Sequence, residues 1–447
     1  MVRRSTIMDT NSYRSELHAP GLDARTRAMT ARRERVLGPS YRLFYRDPIH
    51  LVRGSGTHVW DADGRRYLDV YNNVVSVGHA HPRVVQAIAA QAGTLNTHTR
   101  YLHGAILDYA DDILTTLPHE LSQIMFLCTG SEANDLAVRV AQHATGARGI
   151  IVTREAYHGN TALTSQLSPA LGSGQLIGEW VRLVDPPDTY RADPATAGVV
   201  FAADVRAAID SLREAGHGFA GLLIDSMFSS DGVLPGEPGM LTDAVDVVHA
   251  AGGVLIADEV QPGFGRTGET FWGFARHGII PDLVTMGKPM GNGHPVAGLA
   301  ARAEILAPFA TAVPYFNTFG GNPVSIAAAQ ATLSVLRDEG LQFQALRVGA
   351  ELRTSLIELA DRHPLVGDVR GAGLFTGLEL VTDRTTKEPA SAVALAVVDE
   401  LRDAGVLTSV TGAAGNILKL RPPLAFGESD AADLAESIDL VLGRVEL

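Results

Sequence analysis

The sequence predicts an α/β fold, with a large domain on a mostly parallel central sheet and a smaller α/β domain at the C-terminal end. Two observations lead there. Short apolar runs at 124–128, 150–153, 222–225, 254–258 and 283–286 alternate with amphipathic helical stretches, a pattern that buries parallel strands between helices. A second strand group follows around 371–380 and 417–420, after a long helix that Asn322 caps and Pro323 opens. That helix carries Ala328, Leu333 and Leu336 and stops near Gly340. The division expected is therefore 1–66, an N-terminal arm with a segment of the small domain; 67–335, the large domain; and 336–447, the small domain.

The first forty residues are rich in Arg, Thr and Ser with weak periodicity, and they read as an arm or short helices. Residues 52–69 hold Gly54, Gly56 and Asp61-Ala62-Asp63-Gly64, turn chemistry between short strands. A chain of 447 residues exceeds one simple core. Its formal net charge of −13 argues against a nucleic-acid or anionic-membrane surface, both of which rest on basic patches. A small anionic ligand stays compatible, since a pocket need not share the global sign. Cys128 is the only cysteine, which excludes an intramolecular disulfide and a cysteine metal cluster. Residues 1–13 lack the apolar stretch of a signal peptide, and no window reaches the roughly 20 apolar residues of a membrane span. A cytoplasmic protein is expected.

The chemistry concentrates at the carboxyl ends of the apolar runs. Phe126-Leu127-Cys128-Thr129-Gly130-Ser131-Glu132-Ala133-Asn134-Asp135 reads as strand, turn and helix, with Thr129, Gly130 and Ser131 where unpaired N–H groups converge. Such a helix start suits a phosphate, although a plain serine cap explains the same residues. Tyr157, in Tyr157-His158-Gly159, could stack on a planar ring or simply pack. Asp258 closes the apolar run 254–258 and either caps a turn or pairs with a pyridinium nitrogen, with Gln261 near enough to reach a ring hydroxyl. Lys288 lies in a glycine-rich turn just past 283–286, at the edge where α/β sheets place ligands. There a desolvated amine has a lowered pKa and condenses readily with an aldehyde. An aspartate for the ring nitrogen and a lysine for the aldehyde are what a protein needs to use pyridoxal phosphate as an electron sink. Thr318 is a further candidate phosphate donor. Gly263-Phe264-Gly265-Arg266-Thr267-Gly268 matches a dinucleotide fingerprint, but the aromatic, glycine-broken stretch after it cannot open the required helix, so a nicotinamide site is rejected.

At these motifs the chain resembles the class III aminotransferase family of pyridoxal-phosphate enzymes, fold type I, from about residue 41 almost to the C-terminus. The resemblance implies Lys288 as the lysine joined to the cofactor, Asp258 as partner of the pyridine nitrogen and Tyr157 stacked on the ring, with His158 next to it. Thr129, Gly130 and Ser131 would surround the phosphate. Thr318 would reach the phosphate of a neighbouring subunit, so a homodimer with active sites at the interface is implied; whether dimers pair into tetramers stays open. Asp225 stands where the family usually has a glutamate.

Narrower motifs look like the phospho-lyase branch, which acts on O-phosphoethanolamine and 5-phosphohydroxy-lysine. These are Tyr71-Asn72-Asn73-Val74, Val77-Gly78-His79-Ala80-His81-Pro82, Leu95-Asn96-Thr97, Pro187-Asp188-Thr189-Tyr190-Arg191, the stretch 286–296, and Asn416-Ile417-Leu418-Lys419-Leu420-Arg421-Pro422-Pro423. Lys419 occupies the position where many aminotransferases of the class carry an arginine for the substrate carboxylate. Asn72 and Asn73 replace bulky apolar pocket residues, and with His98 and Arg100 they would suit a phosphorylated amine. The reaction implied is elimination of phosphate and ammonia; the alternative is an ω-aminotransferase working between an amine and a keto acid.

Overall fold

Strands Ile150–Thr153 and Val254–Asp258 are buried along their whole length, the state of central strands in a sheet covered on both faces. The structure, a computed structural model, describes residues 9–445. The first eight residues of the expected arm and the last two of the chain lie outside them.

The main sheet has seven strands in the order Gln123–Leu127, Ala297–Ala301, Leu283–Met286, Val254–Asp258, Gly221–Ile224, Ile150–Thr153, Val181–Val184. Ala297–Ala301 runs antiparallel to both neighbours, and the other pairings are parallel. Side chains alternate between faces, as a period of two requires. Leu222 and Leu255 join one apolar core, while Leu223 and Ile256 join the other. The expected run 222–225 is displaced by one residue at each end from the strand Gly221–Ile224; Asp225 turns out of the sheet and accepts the Met227 N–H at 2.9 Å. This is a local turn bond that a short acidic side chain makes readily.

The N-terminal third contributes a helix, Ala24–Leu37, capped by Asp23, and the strands Leu51–Ser55, His58–Asp61 and Arg66–Asp69. Val406–Leu407 pairs in parallel with Arg66–Asp69, so the two ends of the chain share a sheet. The linking helix runs Pro323–Asp338, with the Asn322 side chain accepting the Ser325 N–H at 3.0 Å. Gly340 then adopts φ 62°, and a second helix, Leu341–Arg362, starts at once. Beyond it, Val366–Ala372, Phe375–Asp383, Ile417–Leu420 and Val410–Thr411 form an antiparallel sheet. Among the described residues no helix is long and apolar enough to cross a membrane.

The glycine-rich segment 263–268 is a succession of turns that opens no α-helix, and only a short 3-10 helix, Gly273–His277, follows it. Its arginine explains the pattern. Arg266 is only 2% exposed and donates through Nη1 to the carbonyls of Leu374, at 3.0 Å, and Pro422. Burial pushes the guanidinium down to about 9. The segment is a tie between the two halves of the chain. Arg266→Ala leaves both carbonyls without a donor and is expected to cost about 2–4 kcal/mol in urea unfolding; an unchanged midpoint would show that the tie contributes nothing.

Candidate active site

The carboxyl ends of the parallel strands open into a cavity of about 460 Å³, within the range of roughly 300–1,000 Å³ usual for ligand sites. At one end is the start of helix Gly130–Thr145. Thr129 is its cap, accepting the Glu132 N–H at 3.1 Å, while Glu132 accepts the N–H groups of Thr129 and Cys128 at 2.9 and 3.1 Å. The remaining first-turn N–H groups, Gly130 and Ser131 among them, have no intrahelical acceptor and are free for an anion. A Cβ on Gly159, at φ 136°, would sit 2.7 Å from Ser131 Oγ. Only glycine lets the loop after Ile150–Thr153 pack this closely on the helix start, and this brings Tyr157 and His158 to the cavity. Ser168 Oγ fixes that loop by accepting the His158 N–H at 2.9 Å.

Asp258, the last residue of its strand, forms the cavity wall and is 5% exposed. Its Oδ2 accepts from Asn134 Nδ2 at 2.8 Å and lies 2.7 Å from His158 Nδ1; its Oδ1 accepts the Val260 N–H at 3.1 Å. Asn134 is held in turn by Thr285 Oγ1, which donates to Asn134 Oδ1 at 2.7 Å. Burial and the charge of Asp258 push the Tyr157 hydroxyl above its ordinary range.

Lys288 faces this wall from the turn after Leu283–Met286. The turn is clamped from outside. Asn292, at φ 48°, accepts the Val77 N–H at 3.0 Å and donates to Gly78 O at 2.9 Å, and Ser76 Oγ donates to Pro289 O at 3.0 Å. Two motifs far apart in sequence thus form one support for the lysine. Burial first, then Arg421, pushes the Lys288 ammonium down to about 8 against the pull of Asp258 and Asp225. Gln261 lines the cavity and accepts a hydrogen bond from Arg421 Nη1.

Lys419 and Arg421 lie behind Gln261, each 5% exposed. Burial, then Arg421, holds the Lys419 ammonium well below the usual lysine range, opposed by Asp225. Asp225 accepts backbone N–H groups of Met227 and Ser229, and burial and Asp258 push its carboxyl up. Asn73 is 1% exposed, and neither its Nδ2 nor its Oδ1 has a partner. Asn72 instead uses its Oδ1 on the Val74 N–H at 3.1 Å.

Of the expected site residues, Asn72, Asn73, Asp225 and Lys419 do not line this cavity, and neither do Thr318, His98 and Arg100. Thr318 is exposed, and His98 and Arg100 pack on Phe316 nearby, His98 edge-on at 5.6 Å and Arg100 over the ring at 5.7 Å. They share a surface with the exposed Tyr101, Leu102 and Phe319. Asn134 and Arg421 are the residues that sequence reading left without a role. Both stood inside quoted motifs, and each gave a signal: a polar side chain on the apolar face of a helix, and an arginine following an apolar strand.

The cavity fits pyridoxal phosphate. It offers N–H donors for a phosphate at one end, a buried carboxylate for a ring nitrogen, an aromatic ring at Tyr157, and an amine at Lys288. The sequence model of the family described as aminotransferase class-III matches residues 44–442. The chain belongs to that family. Its members use pyridoxal phosphate on fold type I, which is the fold and the cofactor of this chain; they act on small amines and are commonly oligomeric. A Drosophila melanogaster alanine–glyoxylate aminotransferase 2-like protein is 40% identical over 412 residues, covering 89% of this chain and 83% of that protein. The Caenorhabditis elegans ethanolamine-phosphate phospho-lyase homolog 1 is 38% identical over 431 residues, 92% of each. A solved phospholyase from Arthrobacter, in complex with phosphoethanolamine, superposes with TM-score 0.91 at 42% identity over 94% of this chain and all of that one.

The lowered Lys288 pKa has a consequence for stability. Between about 8 and the ordinary 10.5 the unfolded chain holds more protons than the native one, so this group's contribution to stability improves as pH rises through that window. Below it the burial cost is complete. Lys288→Met is therefore expected to stabilise the cofactor-free protein at pH 7, with the gain shrinking by pH 10. Urea titrations at both pH values test this, and a gain independent of pH contradicts it.

Proposed function

We propose that this enzyme is a phospho-lyase that eliminates phosphate and ammonia from O-phosphoethanolamine, or a related phosphorylated amine, to give acetaldehyde or the related aldehyde. The observation that carries the reading is Lys419. It stands where many aminotransferases of the class hold a carboxylate-binding arginine, and among the described residues its ammonium has no carboxylate at ion-pair distance and no hydrogen-bond acceptor. A buried cation of this kind is costly unless an anion completes it, and a substrate phosphate carries more charge to do so than a carboxylate. The unpartnered amide of Asn73 and the likeness to the phosphoethanolamine-bound Arthrobacter enzyme support the same substrate class.

Pyridoxal phosphate, when bound, supplies the electron sink for the substrate carbon that bears nitrogen. The residues do the rest. Gly130 and Ser131 would hold the cofactor phosphate and Tyr157 would cover the ring. Asp258, braced by Asn134 and His158, would keep a proton on the ring nitrogen. Lys288 Nζ would remove the substrate proton; in the cofactor-free chain its pKa of about 8 leaves on the order of a tenth of it neutral at pH 7. Lys419 would offset the charge on the phosphate as it leaves the neighbouring carbon. One water enters, and aldehyde, ammonia and phosphate leave, so no keto acid is consumed.

The same proposal makes the active unit a homodimer. Near Thr318, His98 and Arg100 in the chain, Tyr101 and Phe319 are each 67% exposed and Leu102 is 97% exposed, large apolar side chains that a partner subunit would cover. A partner's cavity over this face would give Thr318 a phosphate to bind.

Incubation with O-phosphoethanolamine and no keto acid is expected to release inorganic phosphate and acetaldehyde in equal amounts. Amine transfer that needs pyruvate or 2-oxoglutarate, without phosphate release, would establish an aminotransferase instead. Lys288→Ala is expected to lower turnover by roughly 10³-fold or more while the fold persists by circular dichroism; near-normal turnover would remove the lysine from the mechanism.

A further inference from the structure

We infer that Arg421 is a positioning residue for Gln261, setting that amide so that the cofactor cavity meets an N–H donor and not a carbonyl. The inference needs only the cofactor and is independent of the lyase reading.

Gln261 Oε1 accepts from Arg421 Nη1. An arginine side chain has donors and no acceptor, so the reverse amide orientation would set donor against donor. The oxygen therefore points to Arg421, which turns the amide nitrogen away from it, and Gln261 lines the cavity together with Lys288. Arg421 is itself immobilised. Its Nε and Nη2 donate to Tyr71 O at 3.3 and 3.1 Å, and its guanidinium lies 5.0 Å from the Tyr71 ring and 5.7 Å from that of Phe375. Tyr71 is placed by Asp69, whose Oδ1 accepts the N–H groups of Tyr71 and Asn72 at 3.1 and 2.9 Å, and whose Oδ2 lies 2.8 Å from His79 Nε2. Arg421 cannot swing to another partner without breaking this chain of contacts.

The charged groups that bear on Arg421 and Lys288 are Lys419, Asp225, Asp258, Asp69 and Arg266. Within that field Gln261 is a neutral group whose orientation alone decides its sign toward the cavity. A donated N–H stabilises negative charge on a ring oxygen and so loosens the proton on the lysine nitrogen joined to the ring. Arg421 thus tunes the protonation of the lysine at a distance, by dictating which end of an amide faces inward.

The test is a double-mutant cycle on enzyme reconstituted with pyridoxal phosphate, reading the pH midpoint at which its visible absorption band changes. Arg421→Met and Gln261→Ala are each expected to raise the midpoint by about one pH unit. Arg421→Lys, which keeps both charge and a donor-only group, is expected to restore it. The shift caused by Arg421→Met should be clearly smaller when Gln261 is already alanine. An equal shift in both backgrounds would mean that Arg421 acts by charge or by packing alone, and an unmoved midpoint in Arg421→Met would mean that it does not act on the cofactor; either overturns the inference. Should Arg421→Met fail to fold or hold cofactor, the cycle runs with Arg421→Gln, which can donate or accept and so no longer dictates the Gln261 orientation. The same two outcomes then decide.

Discussion

A carboxylate kept out of water constrains the rest of the site. Asp258 is 5% exposed at the end of a strand that is buried throughout. A group of that kind persists only if its oxygens are bonded. Asn134 comes from the helix that starts the phosphate end, His158 from the loop after Ile150–Thr153, two strands away in the sheet, and Thr285, holding Asn134, from the strand that delivers Lys288. Satisfying one carboxylate therefore sets the spacing between phosphate donors, ring wall and lysine. This explains why motifs separated by more than a hundred residues behave as one unit.

Behind the lysine, positive and negative groups are packed at a density no surface would need. Lys288, Lys419 and Arg421 face Asp225 and Asp258 across a region of low dielectric, where the interactions stay strong. Each cation is pushed toward its neutral form by burial, and Asp225 is pushed the same way. Asp231, bonded to Thr153 Oγ1 at 2.7 Å, is raised to about 7. A chain with formal net charge −13 can in this way hold a local basic well suited to an anion, and the global charge says nothing of the cavity.

The α/β plan and most strands were legible because their signal is local. The expected bounds 150–153, 254–258, 283–286 and 417–420 coincide with the strands, since an apolar run bounded by turn residues needs no tertiary information to be recognised. The Asn322 cap and the halt at Gly340 are equally local. Asn134 and Arg421 were harder to read. Their roles lie in a partner distant in sequence, Asp258 for the one and Gln261 for the other, and neither motif hints at which side chain will stand opposite. His98, Arg100 and Thr318 pose the converse case. The packing of His98 and Arg100 on Phe316 is visible only when the chain is folded, and none of the three lines the chain's own cavity.

The sequence by itself determined which chemical groups exist and on which local elements: an aspartate closing a buried strand, a lysine in the turn after another, and a capped helix start well before both. Those follow from periodicity, capping and turn propensity, which act over a few residues. Only the tertiary structure decided which groups meet. It brought Asp258 under Asn134 and His158, joined the Asn292 turn to residues 77 and 78, and set Gln261 against Arg421. The physical reason is that a buried polar atom must find a partner wherever the packed chain offers one. Local sequence cannot specify that partner when the nearest donor lies 160 residues away.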